Sequence, residues 1–324
     1  MFSTDFREEC SLVNDPVPGR QLLVASTGGH LSQIVKWAPR IGADPDSLWV
    51  TFESPQSKSL LQGRRVMYVP YVAPRDFLQT AKAFALLMRL IDWRAEQFTS
   101  AVTTGAAVGL AGLGAARLHR VPSFYFESVS RVNGPSLTGR LVSLDPWIAK
   151  SCQYEHWAGR RWKYRGSLFD NYTAIPKSPV PHPRLFITLG TIRPYRFDAV
   201  VDAVVSTGLA DDRTVWQLGA TTRTDLPGKT VTQLSRNEFA ECAREADVVI
   251  THSGVGTLME LLDMGIYPVV VPRRVRRAEH VDDHQLQVAS VLKARGISLV
   301  SEIEDLDKET ILRASASAIN KHRS

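Results

Sequence analysis

The chain has 324 residues, 44% hydrophobic and 22% charged, a balance that excludes disorder and fibrous repeats and suits two globular domains of ordinary size. Lys and Arg exceed Asp and Glu by 39 to 33, an excess that fits a phosphate-bearing ligand or an anionic membrane surface and is too dispersed for nucleic acid. Cys10, Cys152 and Cys242 are odd in number and far apart, which reads as free thiols in a reducing compartment.

Met1–Arg20 is polar and has no apolar stretch of the kind a signal peptide needs. Gln21–Ser26 then reads as a buried strand that runs into the turn Thr27-Gly28-Gly29-His30 and a helix over Leu31–Pro39. Strands follow at Leu48–Phe52 and Val66–Pro70, and Asp76 caps a predicted helix from Phe77 to about Ala95. The uncharged stretch Phe98–Ala116 is broken by threonines and by glycines at 105, 109, 112 and 114. It reads as a strand over 99–103, a glycine turn and a tightly packed helix over 106–118, not as a membrane span. A strand over 123–127 follows.

Ala174–Arg184 carries four prolines and is the linker candidate, dividing the chain into 1–175 and 184–324. The pattern then restarts. A strand over Arg184–Leu189 ends in Gly190-Thr191, with a helix over 196–207 and strands over 213–218 and 230–234. A helix over 236–245 and a strand over Asp247–Thr251 come next. The remaining elements are a helix over 255–264, a strand over 267–272 and a last main helix over 281–295. Strands that alternate with helices imply parallel sheets, and each half opens on a strand ending in a glycine turn. The expectation is α/β, with two Rossmann-like domains and a ligand at the carboxyl ends of the strands.

The segment with the most chemistry runs from Thr251 to Gln285. His252-Ser253-Gly254-Val255-Gly256-Thr257 turns a buried strand into a helix, where small residues and free N–H groups favour an anion. Glu260 lies one turn in, placed to accept hydrogen bonds from two ribose hydroxyls. A charged loop follows, with Arg273 and Arg274 at its start and Glu279, His280, Asp282, Asp283, His284 and Gln285 at its end. Those groups can read the hydroxyls of a sugar. The bland reading of both pieces is a solvated loop with an ordinary helix cap.

The run H-S-G-V-G-T-x-x-E, then V-V-P-R, then E-H-V-D-D-H-Q resembles the C-terminal domain of the MurG-related glycosyltransferases of family 28. The resemblance is strongest to the small catalytic subunits of bacterial polysaccharide-synthesis β-1,4-glucuronosyl- and galactosyltransferases. It extends to the catalytic subunit of the eukaryotic dolichyl-diphosphate N-acetylglucosamine transferase. The first half resembles the partner subunits of the same systems through S-T-G-G-H-L at 26–31, W-V-T-F at 49–52, T-T-G-A at 103–106 and F-E-S-V-S-R-V-N-G-P-S-L-T-G-R-L at 126–141. The chain thus looks like a fusion of two usually separate subunits. Leu144–Trp157 departs from the family pattern, and the anchor of the eukaryotic partner subunit has no counterpart in Met1–Arg20.

The resemblance implies a GT-B fold whose C-terminal half binds a UDP-sugar. Ser253, Gly254 and Gly256, with Thr191, would lie near the diphosphate, Glu260 at the ribose, and His284 and Gln285 at the sugar. It also implies an acceptor sugar on a polyprenyl diphosphate, commonly joined β-1,4 in exopolysaccharide or capsule synthesis, and a place on the cytoplasmic face of the inner membrane. An inverting transfer needs a base and a stabiliser for the leaving diphosphate. His30 is the preferred base, beside Gly28 and Gly29, and Glu127 at the end of an apolar strand is the other, with Ser128 and Arg131 on the acceptor side. No Asp-x-Asp and no His/Cys set at ligand spacing occurs, so no metal or other cofactor is expected. Arg193, Arg273 and Arg274 invite a uronate donor, because arginine grips a carboxylate with two prongs. Glucuronate is therefore favoured over galactose, glucose or N-acetylglucosamine.

Phe77–Ala95 is apolar on more than one face, with Arg75, Lys82 and Arg89 every seven residues. It reads either as a helix on an anionic bilayer or as a Rossmann helix packed on its sheet. Competing functions are a non-hydrolysing nucleotide-sugar epimerase and a non-catalytic scaffold for a separate catalytic subunit. A dinucleotide oxidoreductase is disfavoured, since neither glycine turn reads G-x-G-x-x-G.

Overall fold

The computed structural model describes residues 15–73, 76–190, 194–280 and 284–322. The chain divides into two compact units, Met1–Leu168 and Phe169–Ser324. The boundary falls before the proline-rich stretch read as a linker. Part of that stretch is itself a strand, β8 (Tyr172–Pro176), paired antiparallel with the last strand, β15 (Ser317–Lys321). Pro176 ends this strand at a sheet edge, where a missing N–H costs no ladder bond.

The first unit is built on β1 (Gln21–Val24), β2 (Leu48–Phe52), β3 (Arg65–Val69), β4 (Ser100–Thr103), β5 (Ser123–Phe126), β6 (Ile148–Cys152) and β7 (Lys163–Tyr164). All pairings are parallel, in the order β3-β2-β1-β4-β5-β6-β7. β1, β2, β4 and β5 are buried along their whole length, as strands covered by helices on both faces must be. The helices are α1 (Gly29–Arg40), α2 (Pro55–Leu60), α3 (Phe77–Leu90), α4 (Trp93–Glu96), α5 (Ala107–Leu118) and α6 (Leu137–Val142). α2, α3, α4 and α6 start on side-chain caps from Ser54, Asp76, Asp92 and Ser136.

The helix predicted over 77–95 is broken. Asp92 caps a new turn, and Trp93 swings inward to stack on His119 with ring centroids 4.6 Å apart. α3 buries Ala83 and Leu87 and leaves Phe77 and Leu78 71% and 78% exposed. Gly109 and Gly112 in α5 have no room for a side chain: a Cβ would come within 2.4 Å of Thr103 and 2.6 Å of Val24. This close packing of helix on sheet explains the glycine-rich, uncharged stretch without a membrane. Among the described residues no helix is long and apolar enough to cross one.

The second unit repeats the plan with β9 (Leu185–Thr188), β10 (Val215–Gln217), β11 (Lys229–Val231), β12 (Val248–Thr251), β13 (Val269–Val270) and β14 (Leu299–Val300). Their order is β11-β10-β9-β12-β13-β14, again all parallel. Its helices are α7 (Asp198–Ser206), α8 (Arg236–Glu245), α9 (Val255–Asp263), α10 (His284–Arg295) and α11 (Lys308–Ala314). Each unit has its own apolar core, around Leu22, Val50, Leu87 and Tyr125 in the first and Ile187, Val201, Trp216 and Ile250 in the second. In both sheets the strand order reverses beside the first strand, between β1 and β4 and between β9 and β12. A doubly wound sheet opens a ligand crevice at that point.

Candidate functional site

In the second unit the switch point joins the turn after β9 to the turn after β12. α9 begins behind Gly254 with no side-chain cap, so no cap side chain satisfies the N–H groups of its first turn. Ser253 is 1% exposed, and its Oγ has no hydrogen-bond partner among the described residues. A buried hydroxyl without a partner is costly. Gly256 and Thr257 are half-buried in the first turn, while Val255 is buried. Glu260 stands at the rim with its side chain 32% exposed, and its Oε1 accepts from Arg236 Nε at 3.2 Å.

The glycines here have a reason that the sequence does not display. The His252 ring fills the space beside two of them. A Cβ at Gly190 would lie 2.6 Å from His252 Cε1, and one at Gly254 would lie 2.2 Å from Nε2. Gly190 also has φ 75°, a backbone conformation glycine adopts freely. The imidazole therefore locks the two turns together, and Gly254 makes room for it rather than for a ligand. His252 is 8% exposed, with Nδ1 3.4 Å from Thr251 Oγ1.

The charged loop corrects several expectations. Arg273 is fully buried: Nη1 donates to Tyr195 O at 3.0 Å and Glu279 O at 2.9 Å, and Nη2 donates to Leu189 O at 2.7 Å. Its guanidinium sits 4.9 Å from the Phe197 ring, and burial pushes its pKa down to about 10. Arg273 thus ties loops to the β9 turn and is not a hand for a donor carboxylate. Arg274 pairs with Glu302. Glu279 Oε2 accepts from Arg274 N at 2.9 Å and Gln285 Oε1 from Arg273 N at 3.2 Å, so one oxygen of each side chain holds its own loop. Burial raises the Glu279 carboxyl. His280 is buried and stacks on Tyr195, ring centroids 6.1 Å apart. The physical reason is shared. A loop leaving a buried strand exposes backbone groups that water cannot reach, and nearby polar side chains satisfy them first. Thr191, Arg193, Asp282 and Asp283 lie outside the described residues, and of His284 only the backbone at the start of α10 is described.

In the first unit the switch point joins Gly28-Gly29-His30 to Thr104-Gly105-Ala106. Gly28 is exposed at φ 85° and is held from both sides by Gln56, whose Oε1 accepts from Gly28 N at 2.6 Å and whose Nε2 donates to Gly28 O at 3.2 Å. Thr104 Oγ1 donates to His30 O at 2.9 Å. The His30 ring lies against Gly105, where a Cβ would come within 2.9 Å of Cε1. The residue as a whole is half-buried, but Nδ1 is enclosed and has no partner among the described residues. Burial pushes the imidazole down to about 4; a hydrogen bond with the Thr104 backbone opposes the shift and the Arg131 charge adds to it. His30 is therefore neutral at pH 7.

Glu127 is different and corrects its reading as a base. It is wholly buried, and both oxygens are occupied. Oε1 accepts from Tyr125 Oη at 3.1 Å and Ser128 N at 3.0 Å, and Oε2 accepts from Ser136 N at 2.8 Å and Ser136 Oγ at 3.1 Å. Burial raises its pKa against those bonds. It folds the loop after β5 instead of meeting solvent. Ser128 is buried too, its Oγ accepting from Gln33 Nε2 at 3.0 Å, whereas Arg131 is half-buried. Gln33, Gln56, Gln153 and Arg236 were not singled out by sequence. The one available signal was Gln33, a polar residue among Leu31, Ile34 and Trp37 on the buried face of α1.

Among the described residues no three His, Cys, Asp or Glu side chains gather as a metal site. A depression of about 470 Å³ lies beyond the ends of β10 and β11, lined by Gly219, Thr221, Arg223 and Thr232 among others.

With this geometry in view, known proteins bear on the chain. Residues 217–319, within the second unit, match the family described as Glycosyltransferase family 28 C-terminal domain. The UDP-N-acetylglucosamine transferase subunit ALG13 of Cryptococcus neoformans var. neoformans serotype D is 33% identical over 75 residues, 22% of this chain and 36% of that protein. The chain thus spans about a third of the length of the curated relative it matches. Crystal structures match nearly end to end. Acinetobacter baumannii MurG has TM-score 0.54 at 18% identity, covering 92% of this chain and 93% of that one. A putative UDP-N-acetylglucosamine 2-epimerase from Listeria monocytogenes has TM-score 0.53 at 11% identity, covering 92% and 91%. These likenesses bear out the GT-B fold and the resemblance to MurG-related proteins read from the motifs.

Proposed function

We propose that this chain is an inverting glycosyltransferase that moves a sugar from a UDP-sugar to a saccharide on a polyprenyl diphosphate. The observation that carries the reading is the uncapped N-terminus of α9 with the partnerless Ser253 hydroxyl, inside the family 28 domain. In this reading the helix N-terminus and Ser253 meet the diphosphate, and Glu260 takes the ribose. The acceptor hydroxyl attacks the anomeric carbon, the bond to UDP breaks, and the hydroxyl proton passes to the neutral imidazole of His30. Arg273 drops out as a partner for a donor carboxylate. A glucuronate donor then rests on Arg193 and Arg274, with galactose, glucose and N-acetylglucosamine as the other donors. The bond is β-1,4 in this reading, and the product belongs to exopolysaccharide or capsule synthesis.

The exposed Phe77 and Leu78, with Lys82 and Arg89 on the same helix, support docking on the anionic cytoplasmic face of the inner membrane. Sedimentation with anionic liposomes at low salt tests this, and no binding would count against it. Turnover is expected to survive excess chelator. Abolition restored by Mg²⁺ or Mn²⁺ would refute a metal-free mechanism. The likeness to the Listeria epimerase favours a second reading, isomerisation of a UDP-sugar without an acceptor. One experiment separates the two: a UDP-sugar panel with and without a short-chain polyprenyl-diphosphate monosaccharide, read by mass spectrometry. Acceptor-dependent UDP release with a lengthened lipid saccharide is expected, and acceptor-independent isomerisation would overturn it.

A further inference from the structure

The turn after β1 is met from both sides, because β1 lies between β2 and β4 in its sheet. From the β4 side comes Thr104, wholly buried, whose Oγ1 donates to His30 O at 2.9 Å. From the β2 side comes Gln56, in the first turn of α2. Its Oε1 accepts from Gly28 N at 2.6 Å, and its Nε2 donates to Gly28 O at 3.2 Å and to Ser32 Oγ at 3.3 Å. One side-chain amide thus pairs with both backbone polar groups of Gly28, as a neighbouring strand would. Packing gives Gly28 no such hold. Apart from its chain neighbours, nothing among the described residues lies within 4 Å of where its Cβ would be. Its φ of 85° and ψ of −142° suit glycine alone, and it caps α1 without a side chain of its own. Gln56 is itself firmly placed. Ser54 and Ser57 form a capping box around it, Pro55 precedes it, and Ser57, wholly buried, donates from Oγ to Phe52 O at 2.8 Å.

We propose that Gln56 is a positioning residue of the first unit: its amide sets the Gly28 peptide, and through it the first turn of α1, which carries His30. A glycine pivots at small cost, so the direction in which the chain enters α1 rests on the hydrogen bonds made at Gly28. Ser32 N donates to Gly28 O at 3.2 Å, and Ser32 Oγ donates to the same oxygen at 3.2 Å. Gln56, Gly28 and Ser32 therefore close a ring of hydrogen bonds across the helix start, and His30 lies between the last two in the chain. A misplaced base loses rate even when its own chemistry is intact. The consequence for turnover rests on the transferase reading with His30 as base; the setting of the turn does not.

The test is amide exchange at Gly28, followed by NMR in the intact chain without substrates, together with the kinetics of UDP-sugar turnover. In Gln56→Ala the Gly28 N–H is expected to exchange about tenfold faster, with the amides of β1 unchanged. kcat is expected to fall about tenfold while KM for the UDP-sugar holds, since in the transferase reading the donor contacts belong to the second unit. Gln56→Glu supplies a rescue. Its carboxylate accepts from Gly28 N but offers no donor to Gly28 O, and once protonated it presents one donor and one acceptor, as the amide does. The Gly28 signals of this variant should therefore return to their wild-type positions as pH falls through about 4.3, the ordinary glutamate value. The proposal is overturned if Gln56→Ala leaves exchange at Gly28 as it was, if it speeds exchange equally throughout β1 and α1, or if KM for the UDP-sugar rises while kcat holds. Faster exchange at Gly28 with kcat and KM both unchanged would uphold the positioning and remove His30 as the base.

Discussion

The two switch points are built alike and differ in one respect that matters. In each, a histidine from one turn packs on a glycine of the neighbouring turn: His30 on Gly105, and His252 on Gly190. In the second unit the ring is also pressed against Gly254, so it acts as a spacer, and the open hydrogen-bonding capacity falls to the neighbouring Ser253. In the first unit the ring keeps Nδ1 without a partner and a pKa pushed down to about 4. The same packing device thus yields a lock in one place and a candidate base in the other. What separates them is whether a second backbone closes over the ring.

The largest effect that could break this comparison is expected from His30→Ala. Loss of a general base should lower kcat by about 10²–10⁴-fold, while His252→Ala should act mainly on folding stability. Equal losses of kcat with unchanged stability would erase the distinction. The pH dependence follows from the same shift. His30 accepts a proton only when neutral, so kcat/KM should hold down to mildly acid pH and fall as pH drops through about 4. Its folded pKa lies below the ordinary 6.5, so its contribution to stability is full above 6.5 and is lost as pH falls through about 4. An acid limb near 6.5 in the rate profile would contradict the burial of the ring.

Arg273→Met comes next. Three carbonyls would lose a buried donor, and a loss of about 3–5 kcal/mol in urea unfolding is expected. Weakened turnover with unchanged stability would instead return Arg273 to the donor site. Ser253→Ala should be smaller and opposite in character. The KM for the UDP-sugar should rise about tenfold with stability unchanged or slightly improved, because an unpaired buried hydroxyl is removed. The smallest effect belongs to Arg236→Ala. Its pair with Glu260 is exposed, so a stability change below about 1 kcal/mol is expected, checked by thermal melting.

Much of the fold was legible because buried parallel strands are short apolar runs and glycine turns punctuate them. β1, β5, β9 and β12 fall where the pattern places them, and so do the turns at Gly28 and Gly254. The break at Asp92 escaped because the apolar stretch continues through Ile91 and Trp93, and only the packing of Trp93 on His119 reveals the second turn. The strand Tyr172–Pro176 escaped because its partner lies at the far end of the chain, and prolines mask its periodicity.

The sequence by itself determined the doubly wound plan of each half, the two glycine turns, and the motif segment from Thr251 to Gln285. These are local properties of composition and spacing. Tertiary structure decided which polar residues are available for chemistry. Glu127, Arg273, Glu279 and Gln285 carry the right groups, yet each has polar atoms engaged by backbone atoms that burial leaves without water. Ser253 Oγ and His30 Nδ1, like Arg273 Nε, are buried without a partner among the described residues. That allocation depends on neighbours brought together from distant parts of each unit, as Gln33 and Gln153 are, and no spacing along the chain encodes it.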